Sequence, residues 1–194
     1  MRKIYLLLTL FAVGSLSAQG NGDYVNMSFI KTTPGEDYFT ILNEKWKDLA
    51  QMRANDGTIT GWDVWVNPWA TSESDWNIMI ATVAKHPDSL NANAGVPKMR
   101  PDYSDMDVEI FSQKNIKART IVHDHLFVNK GLVFPGNDGG TPVVPRVAVL
   151  NLMKVGYTDG FNYEKGENNL TSEASLGNRA GWGLLKRLDQ AGTD

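Results

Sequence analysis

The sequence predicts an α+β fold in which one antiparallel sheet carries its helices on a single face. Three observations lead to this prediction. Four segments alternate apolar and polar residues, two segments repeat apolar residues at helical spacing, and turn-forming residues separate them. In chain order these segments give strand, helix, strand, strand, helix, strand over residues 23–130. A shorter stretch at 147–194 repeats part of this order.

The first strand and the first helix follow from alternation and spacing. Residues 24–31 alternate as a strand does, and a Thr-Pro-Gly turn ends them. A helix is predicted over 36–54, with Asp37 or Thr33 as its N-cap and Gly57 as a left-handed residue after its end. Its apolar stripe has the spacing of one helix face and consists of Phe39, Leu42, Trp46, Leu49 and Met52.

The rest of the unit is a hairpin, a helix and a strand. Residues 58–67 and 75–84 alternate in the same way, and the short link between them predicts a hairpin. A second helix begins after Ser104, a typical N-cap residue, and leads into a fourth strand at 120–129. The order βαββαβ is the ferredoxin-like pattern, a four-stranded antiparallel sheet with two helices on one face.

A partial second copy of this unit is predicted at 147–194, after a linker at 131–146 that is rich in Gly and Pro. The segment Gly61-Trp62-Asp63-Val64-Trp65 returns in weakened form as Gly181-Trp182-Gly183-Leu184-Leu185. Chance similarity between two strand–helix–strand segments is the alternative. The copy ends after its second strand, so we expect a truncated fragment of a longer chain, or a second chain that completes the sheet as in a homodimer.

The N-terminus predicts export. Residues 1–18 combine a basic start, an apolar stretch that is too short to span a bilayer, and small residues before Ala18, as in a signal peptide. The alternative is a buried first helix, which no cap or amphipathic period supports. We therefore expect a periplasmic or extracellular protein. The sequence has no cysteine, which excludes both disulfides and thiol chemistry.

Charge and hydropathy exclude several partner classes. The formal net charge of −3 is spread along the chain rather than gathered in blocks. The sequence therefore predicts neither a nucleic-acid-binding surface nor a polybasic membrane patch. No apolar run after the leader is long enough for a membrane span.

With these elements in place, the chain resembles the dimeric α/β-barrel superfamily, and more narrowly secreted bacterial proteins with two ferredoxin-like units in tandem. The residues that carry the resemblance are Tyr24-Val25-Asn26-Met27, Trp46, Gly61-Trp62 and 117–123. The resemblance implies two sheets packed face to face. Its branches include cofactor-free monooxygenases, haem-degrading enzymes and members without known activity, so the fold does not decide the function.

A set of polar and aromatic residues on the strands forms a candidate cavity for a small apolar or aromatic ligand. Asn26, Ser28, Asp63, Asn77 and Trp65 would line it if their side of the sheet faces the barrel interior. The alternative for all of them is ordinary packing between two sheets.

Basic residues near the fourth strand add three further candidates. Arg119 could anchor an anionic ligand, although a basic residue at a helix end is also expected from the helix dipole. His123 and His125 flank Asp124 and would point the same way from a strand, which suits a metal or a haem iron. The alternative is an exposed strand pair, because no third ligand with suitable spacing is evident, and we predict neither a metal nor a required cofactor.

Two functions from different classes follow. The first is a non-catalytic exported protein that binds a small molecule or serves as an assembly module. The second is a cofactor-free or haem-dependent oxidoreductase, as in the enzymatic branches of the superfamily. The absence of a convincing acid/base or metal constellation in the sequence favours the first.

Overall fold

The computed structural model describes residues 22–90, 102–133, 150 and 182–188, and it confirms the predicted α+β class. A helix follows the first strand, a strand pair and a second helix come next, and two more strands complete the described part. The strands are β1 (Tyr24–Thr32), β2 (Gly61–Val66), β3 (Ile78–Ala84), β4 (Arg119–Val133) and β5 (Trp182–Arg187).

The five strands form one sheet in the order β2-β3-β1-β4-β5, and every neighbouring pair is antiparallel. The first four strands have the ferredoxin-like order, and β2 and β3 form the predicted hairpin. β5 pairs with the outer edge of β4, which would otherwise offer unpaired backbone groups to another chain. The strand predicted at 181–185 therefore extends the first unit's sheet.

Most of the predicted second unit lies outside the described residues, as do the leader at 1–18 and the strand at 147–154 apart from Leu150. β4 continues to Val133, so the first residues assigned to the linker belong to a strand. None of the helices in the described ranges is long and apolar enough to cross a membrane.

The first helix, α1, is continuous but has three parts: an α-helical turn Tyr38–Ile41, a π-helical segment Leu42–Trp46 and an α-helix Lys47–Asn55. Asp37 is its N-cap, since the Asp37 carboxylate accepts a hydrogen bond of 3.0 Å from the backbone N–H of Thr40.

The end of α1 also follows the sequence prediction. Gly57 has a φ of 78°, and its N–H donates to the carbonyl of Ala54. A residue with a side chain would be strained in this left-handed conformation, so glycine is suited to the position.

The π-helical segment changes which face of α1 packs on the sheet. Leu42 and Leu49 are buried as predicted, but Met52 is 38% exposed and Arg53 is only 7% exposed. A π-helical turn holds more residues than an α-helical turn, so the residues after it rotate relative to a regular helix. The predicted stripe is therefore wrong at Met52, where Arg53 takes the buried position.

The second helix, α2, spans Asp105–Ala118 and begins at the predicted cap. The Ser104 hydroxyl accepts from the backbone N–H of Asp107, and the Asp107 carboxylate accepts from the backbone N–H of Ser104. This reciprocal pair is a capping box.

A β-bulge in β4 changes the alternation of that strand. Ile121 pairs with Ile30 and His123 pairs with Phe29, so Val122 has no partner on β1. Because the bulge adds one residue, the side chains of positions 123 and 125 point to the opposite face from those of 119 and 121. Without the bulge all four positions would share one face.

The two faces of the sheet have separate cores. On the helix face, Ile30 and Ile78 pack with the helix residues Tyr38, Leu42 and Ala118. The opposite face has a cluster without helix residues, which consists of Val25, Met27, Phe29, Met79, Val83 and Phe127, with Trp65, Trp76 and Leu185 packed against it. Both helices therefore lie on one side of the sheet.

Candidate functional site

A pocket of about 350 Å³ lies between the helix face of the sheet and α1. Its floor comes from the strands, its wall from α1, and one end from the short 3₁₀ helix Pro87–Leu90. The lining residues are Asn26, Ser28, Tyr38, Trp46, Leu49, Ala50, Arg53, Trp62, Ile80, Thr82, Pro87, Leu90, Arg119, Ile121, Asp124 and Leu126.

The floor of the pocket is polar where a sheet covered by a helix is usually apolar. Asp124 lies directly opposite Ser28 in the β1–β4 pair. The Ser28 hydroxyl donates to Asp124 Oδ1 at 2.6 Å, and the Asn26 amide donates to the same oxygen at 2.9 Å. Thr82 of β3 pairs with Asn26 and continues this polar strip.

Arg119 is held at one end of the pocket by a helix residue and two aromatic rings. Its Nε donates to Asn115 Oδ1 at 3.2 Å, and the indole N–H of Trp46 donates to the same oxygen at 2.9 Å. The guanidinium carbon lies 5.4 Å from the ring centre of Tyr38 and 5.7 Å from that of Trp46. These are cation–π distances, so the two rings favour a positive charge at this end of the pocket.

Arg53 has a different environment at the other end. Its guanidinium is buried and donates to the backbone carbonyl of Ser89. Burial lowers its pKa, and the nearby Asp56 carboxylate opposes that shift. Arg53 therefore ties the end of α1 to the 3₁₀ helix.

The wall of the pocket contains a buried polar atom for which the described residues supply no partner. The Tyr38 hydroxyl has no hydrogen-bond partner among the described residues, and its side chain is 1% exposed. Burial raises the pKa of Tyr38 to about 12, with Arg119 acting in the opposite direction. An unpaired buried hydroxyl costs roughly 1–3 kcal/mol of stability.

The eight residues predicted from the sequence do not share one cavity. Asn26, Ser28 and Arg119 line the pocket. Trp65 and Asp63 lie on the other face of the sheet. Trp65 packs on the apolar cluster of that face. Asp63 pairs with Ala81, and Ala81 pairs with Met27, which belongs to the same cluster. Burial raises the pKa of Asp63.

The two histidines also lie on the face opposite the pocket. Their rings stack with centroids 5.6 Å apart and an angle of 17° between the planes. Phe29 contacts both rings, with centroid distances of 6.4 Å to His123 and 6.0 Å to His125. Grouping them with Arg119 was wrong, because the bulge at Val122 separates them. No group of three or more metal-ligating side chains occurs in the part of the chain that the structure describes.

Asn77 contributes to the framework rather than to the pocket. Its carbonyl oxygen accepts from the backbone N–H of Thr32 at 3.0 Å, and its amide donates to the Thr32 hydroxyl at 2.7 Å. The side chain therefore joins the end of β1 to the segment that enters β3. This role is structural.

The pocket does not fit a haem. Haem iron is usually held by His, Cys, Met or Tyr. Tyr38 is the single residue of these kinds among the described lining residues, and its side chain is buried in the wall between Arg119 and the core residues Ile30 and Leu42.

Several lining residues were missed by sequence reasoning. Asp124 was named only as the residue that two histidines flank, although strand alternation alone places it on the face opposite to theirs. Trp46 was assigned to the packing face of the first helix and Tyr38 was not singled out, and the helical spacing contains no sign of a gap beneath that face. The position of Arg53 on the buried side of α1 depends on the π-helical segment, for which the sequence has no clear signal.

No protein-family model matches the chain, and no curated protein matches it. A solved structure described as a dimeric protein of unknown function with a ferredoxin-like fold, from Bacteroides fragilis NCTC 9343, is similar to it. The sequence identity is 13%, the TM-score is 0.38, and the match covers 55% of this chain and 96% of the other. The likeness concerns the fold and says nothing of an activity.

Proposed function

We propose that this chain is a non-catalytic binding protein that holds a small apolar or aromatic molecule in the pocket between the sheet and α1. The observation that carries the proposal is the pocket itself. Its volume of about 350 Å³ lies in the range of small-molecule sites, roughly 300–1,000 Å³. Such sites combine mostly apolar walls with a few placed polar groups.

The lining of this pocket combines apolar and polar surface. Trp46, Trp62 and Leu49 supply apolar surface, while Asp124 and Arg119 supply opposite charges. The unpartnered hydroxyl in the same wall adds a donor that the described residues do not satisfy.

The lining also favours binding over catalysis. Asp124 is the single carboxylate among the described lining residues, and two neutral side chains already donate to it. General acid–base catalysis needs a proton donor or acceptor positioned beside a second reacting group. The described lining contains no histidine or lysine to complete such a pair.

Filling the pocket tests the proposal. Thr82→Phe places a ring in the floor, and Thr120→Phe is the matched control, since Thr120 is an exposed residue of β4 that does not line the pocket. Two aromatic probes, benzyl alcohol and 3-phenylpropionate, are tested by saturation-transfer NMR. We expect wild type and Thr120→Phe to bind at least one probe and Thr82→Phe to bind neither. Binding that survives Thr82→Phe, or no binding to wild type, would contradict the proposal.

We also propose that the chain is exported. The support is the composition of residues 1–18, which lie outside the described residues. Expression of the full chain in a bacterial host, followed by cell fractionation and N-terminal sequencing, tests this. Export with a new N-terminus at Gln19 is expected, and an uncleaved chain in the cytoplasm would contradict it.

A further inference from the structure

We infer that the pocket takes an elongated aromatic acid, with its carboxylate at Arg119 and a hydroxyl group at Asp124. This inference rests on the proposed function and adds the class of ligand.

Arg119 is the group of the pocket that is suited to bind an anion. A guanidinium has five N–H donors, and the bond to Asn115 uses the one on Nε. The Tyr38 and Trp46 rings lie at cation–π distances from the guanidinium, and its remaining N–H donors suit the two oxygens of a carboxylate. Arg119 is half-exposed, whereas the guanidinium of Arg53 is buried against the carbonyl of Ser89.

Asp124 is the group that is suited to accept a hydrogen bond from a ligand. Both of its described bonds, from Ser28 and Asn26, end on Oδ1. Within the described part of the chain, Oδ2 thus keeps its acceptor capacity, and Asp124 is exposed to the pocket space. The same charge repels a second carboxylate, which disfavours a dicarboxylic acid.

The surface between the two groups is apolar. Ile121 lies between them on β4 and is 47% exposed, which is unusual for a large apolar residue on the helix face of a sheet. The β1 partners of Arg119 and Asp124 are Thr32 and Ser28, four positions apart. This spacing is about 13 Å along the strand. A flat ring with a polar group at each end suits an apolar surface that has a charged group at either side.

Three probes that differ by one group test the inference. They are 3-(4-hydroxyphenyl)propionate, 3-phenylpropionate, which lacks the hydroxyl, and 3-(4-hydroxyphenyl)propan-1-ol, which lacks the carboxylate. Calorimetric titration of the full chain gives the three Kd values. A hydrogen bond to a charged group changes affinity by about tenfold or more. We therefore expect wild type to bind the first probe at least about tenfold more tightly than either of the others.

The variants assign each preference to its residue. Arg119→Gln should abolish the preference for the carboxylate and keep the preference for the hydroxyl. Asp124→Ala should abolish the preference for the hydroxyl and keep the preference for the carboxylate. Lys117→Gln is the control for loss of positive charge, because the side chain of Lys117 is 73% exposed and pairs with Glu36. It should keep both preferences. Arg119→Lys replaces Arg119→Gln if the latter fails to fold, and it should weaken the carboxylate preference by about tenfold through loss of bidentate contact.

Equal binding of the three probes to wild type, or retention of both preferences in Arg119→Gln and Asp124→Ala, would overturn this inference. The proposed function would still stand in that case if Thr82→Phe blocks the probes. If Thr82→Phe does not block them, the pocket is not the site, and both statements fail.

Discussion

The two faces of the sheet are built from alternate residues of the same strands, yet they differ in packing. Along β1, Val25, Met27 and Phe29 enter a closed apolar cluster, while Asn26 and Ser28 face the helix side and line a pocket. Polar residues on the floor keep hydrogen bonds among themselves rather than filling the space beneath α1. One face of this sheet is therefore closed by apolar packing along β1, whereas the other leaves a pocket beside its own core under α1.

The largest effect is expected from Phe29→Ala on the packed face. Phe29 is 3% exposed and meets the Trp76 ring edge-on at 5.1 Å. Removing it leaves a cavity, and we expect a loss of about 3–5 kcal/mol in the free energy of unfolding, measured in urea. Ser28→Ala, the neighbouring change on the pocket face, should cost less than about 1.5 kcal/mol. Equal costs would remove the distinction between the faces.

A smaller loss is expected from Asn115→Ala, which acts on the wall of the pocket. The Asn115 side chain accepts from both Trp46 and Arg119, and it is 9% exposed. Leaving those donors unpaired should cost about 1–3 kcal/mol of unfolding free energy. Gln113→Ala on the exposed side of α2 is the control and should change it by less than about 0.5 kcal/mol. If Asn115→Ala is as stable as this control, the hydrogen bonds from Trp46 and Arg119 to Asn115 do not stabilise the fold.

The carboxyl group of Asp63, on the packed face, should make the free energy of unfolding depend on pH. Burial raises its pKa above the ordinary value of 3.8, so the folded chain holds this proton more strongly than the unfolded chain does. The contribution of this group to stability is fully present at low pH. It is lost as the pH rises from about 3.8 through the pKa of the folded state, because the buried group then becomes charged. Asp63→Asn should therefore be more stable than wild type at pH 7, and the difference should shrink toward pH 3. Urea unfolding at several pH values measures this, and a difference independent of pH would contradict it.

The smallest effect is expected on the surface, away from both faces. Lys117 Nζ lies 2.7 Å from Glu36 Oε1, but the lysine side chain is 73% exposed. Exposed ion pairs contribute about 0–1 kcal/mol, so Lys117→Gln should change the unfolding free energy by less than about 1 kcal/mol. A larger loss in thermal or urea unfolding would mean that the pair orders the start of α1.

The sequence predicted the framework of the first unit well because its signals are local. Alternation, the Ser104 and Asp37 caps and the left-handed Gly57 each act within a few residues, and the structure has all of them. The arrangement of the site depended on two irregularities. The π-helical segment buries Arg53, and the bulge at Val122 separates Arg119 from His123.

These irregularities arise from packing between distant segments, so alternation and helical spacing do not reveal them. The pocket was predicted as a cavity bounded by a second sheet, because the resemblance implied two sheets face to face. In the described part of the chain it lies between the sheet and α1 instead. Asn26 and Ser28 therefore line a pocket under α1, on the face that the helices cover, and not a cavity between two sheets.

The most direct test of the difference between the faces uses the tryptophans as reporters. Trp46 and Trp62 line the pocket, while Trp65 and Trp76 pack on the opposite face. The measurement is a ¹H–¹⁵N titration of the labelled full chain with 3-(4-hydroxyphenyl)propionate, with the indole signals assigned by Trp→Phe substitution. We predict that the Trp46 and Trp62 indole signals shift in a saturable way and that those of Trp65 and Trp76 stay in place. Saturable shifts at Trp65 and Trp76 without shifts at Trp46 and Trp62 would contradict the assignment of the binding face.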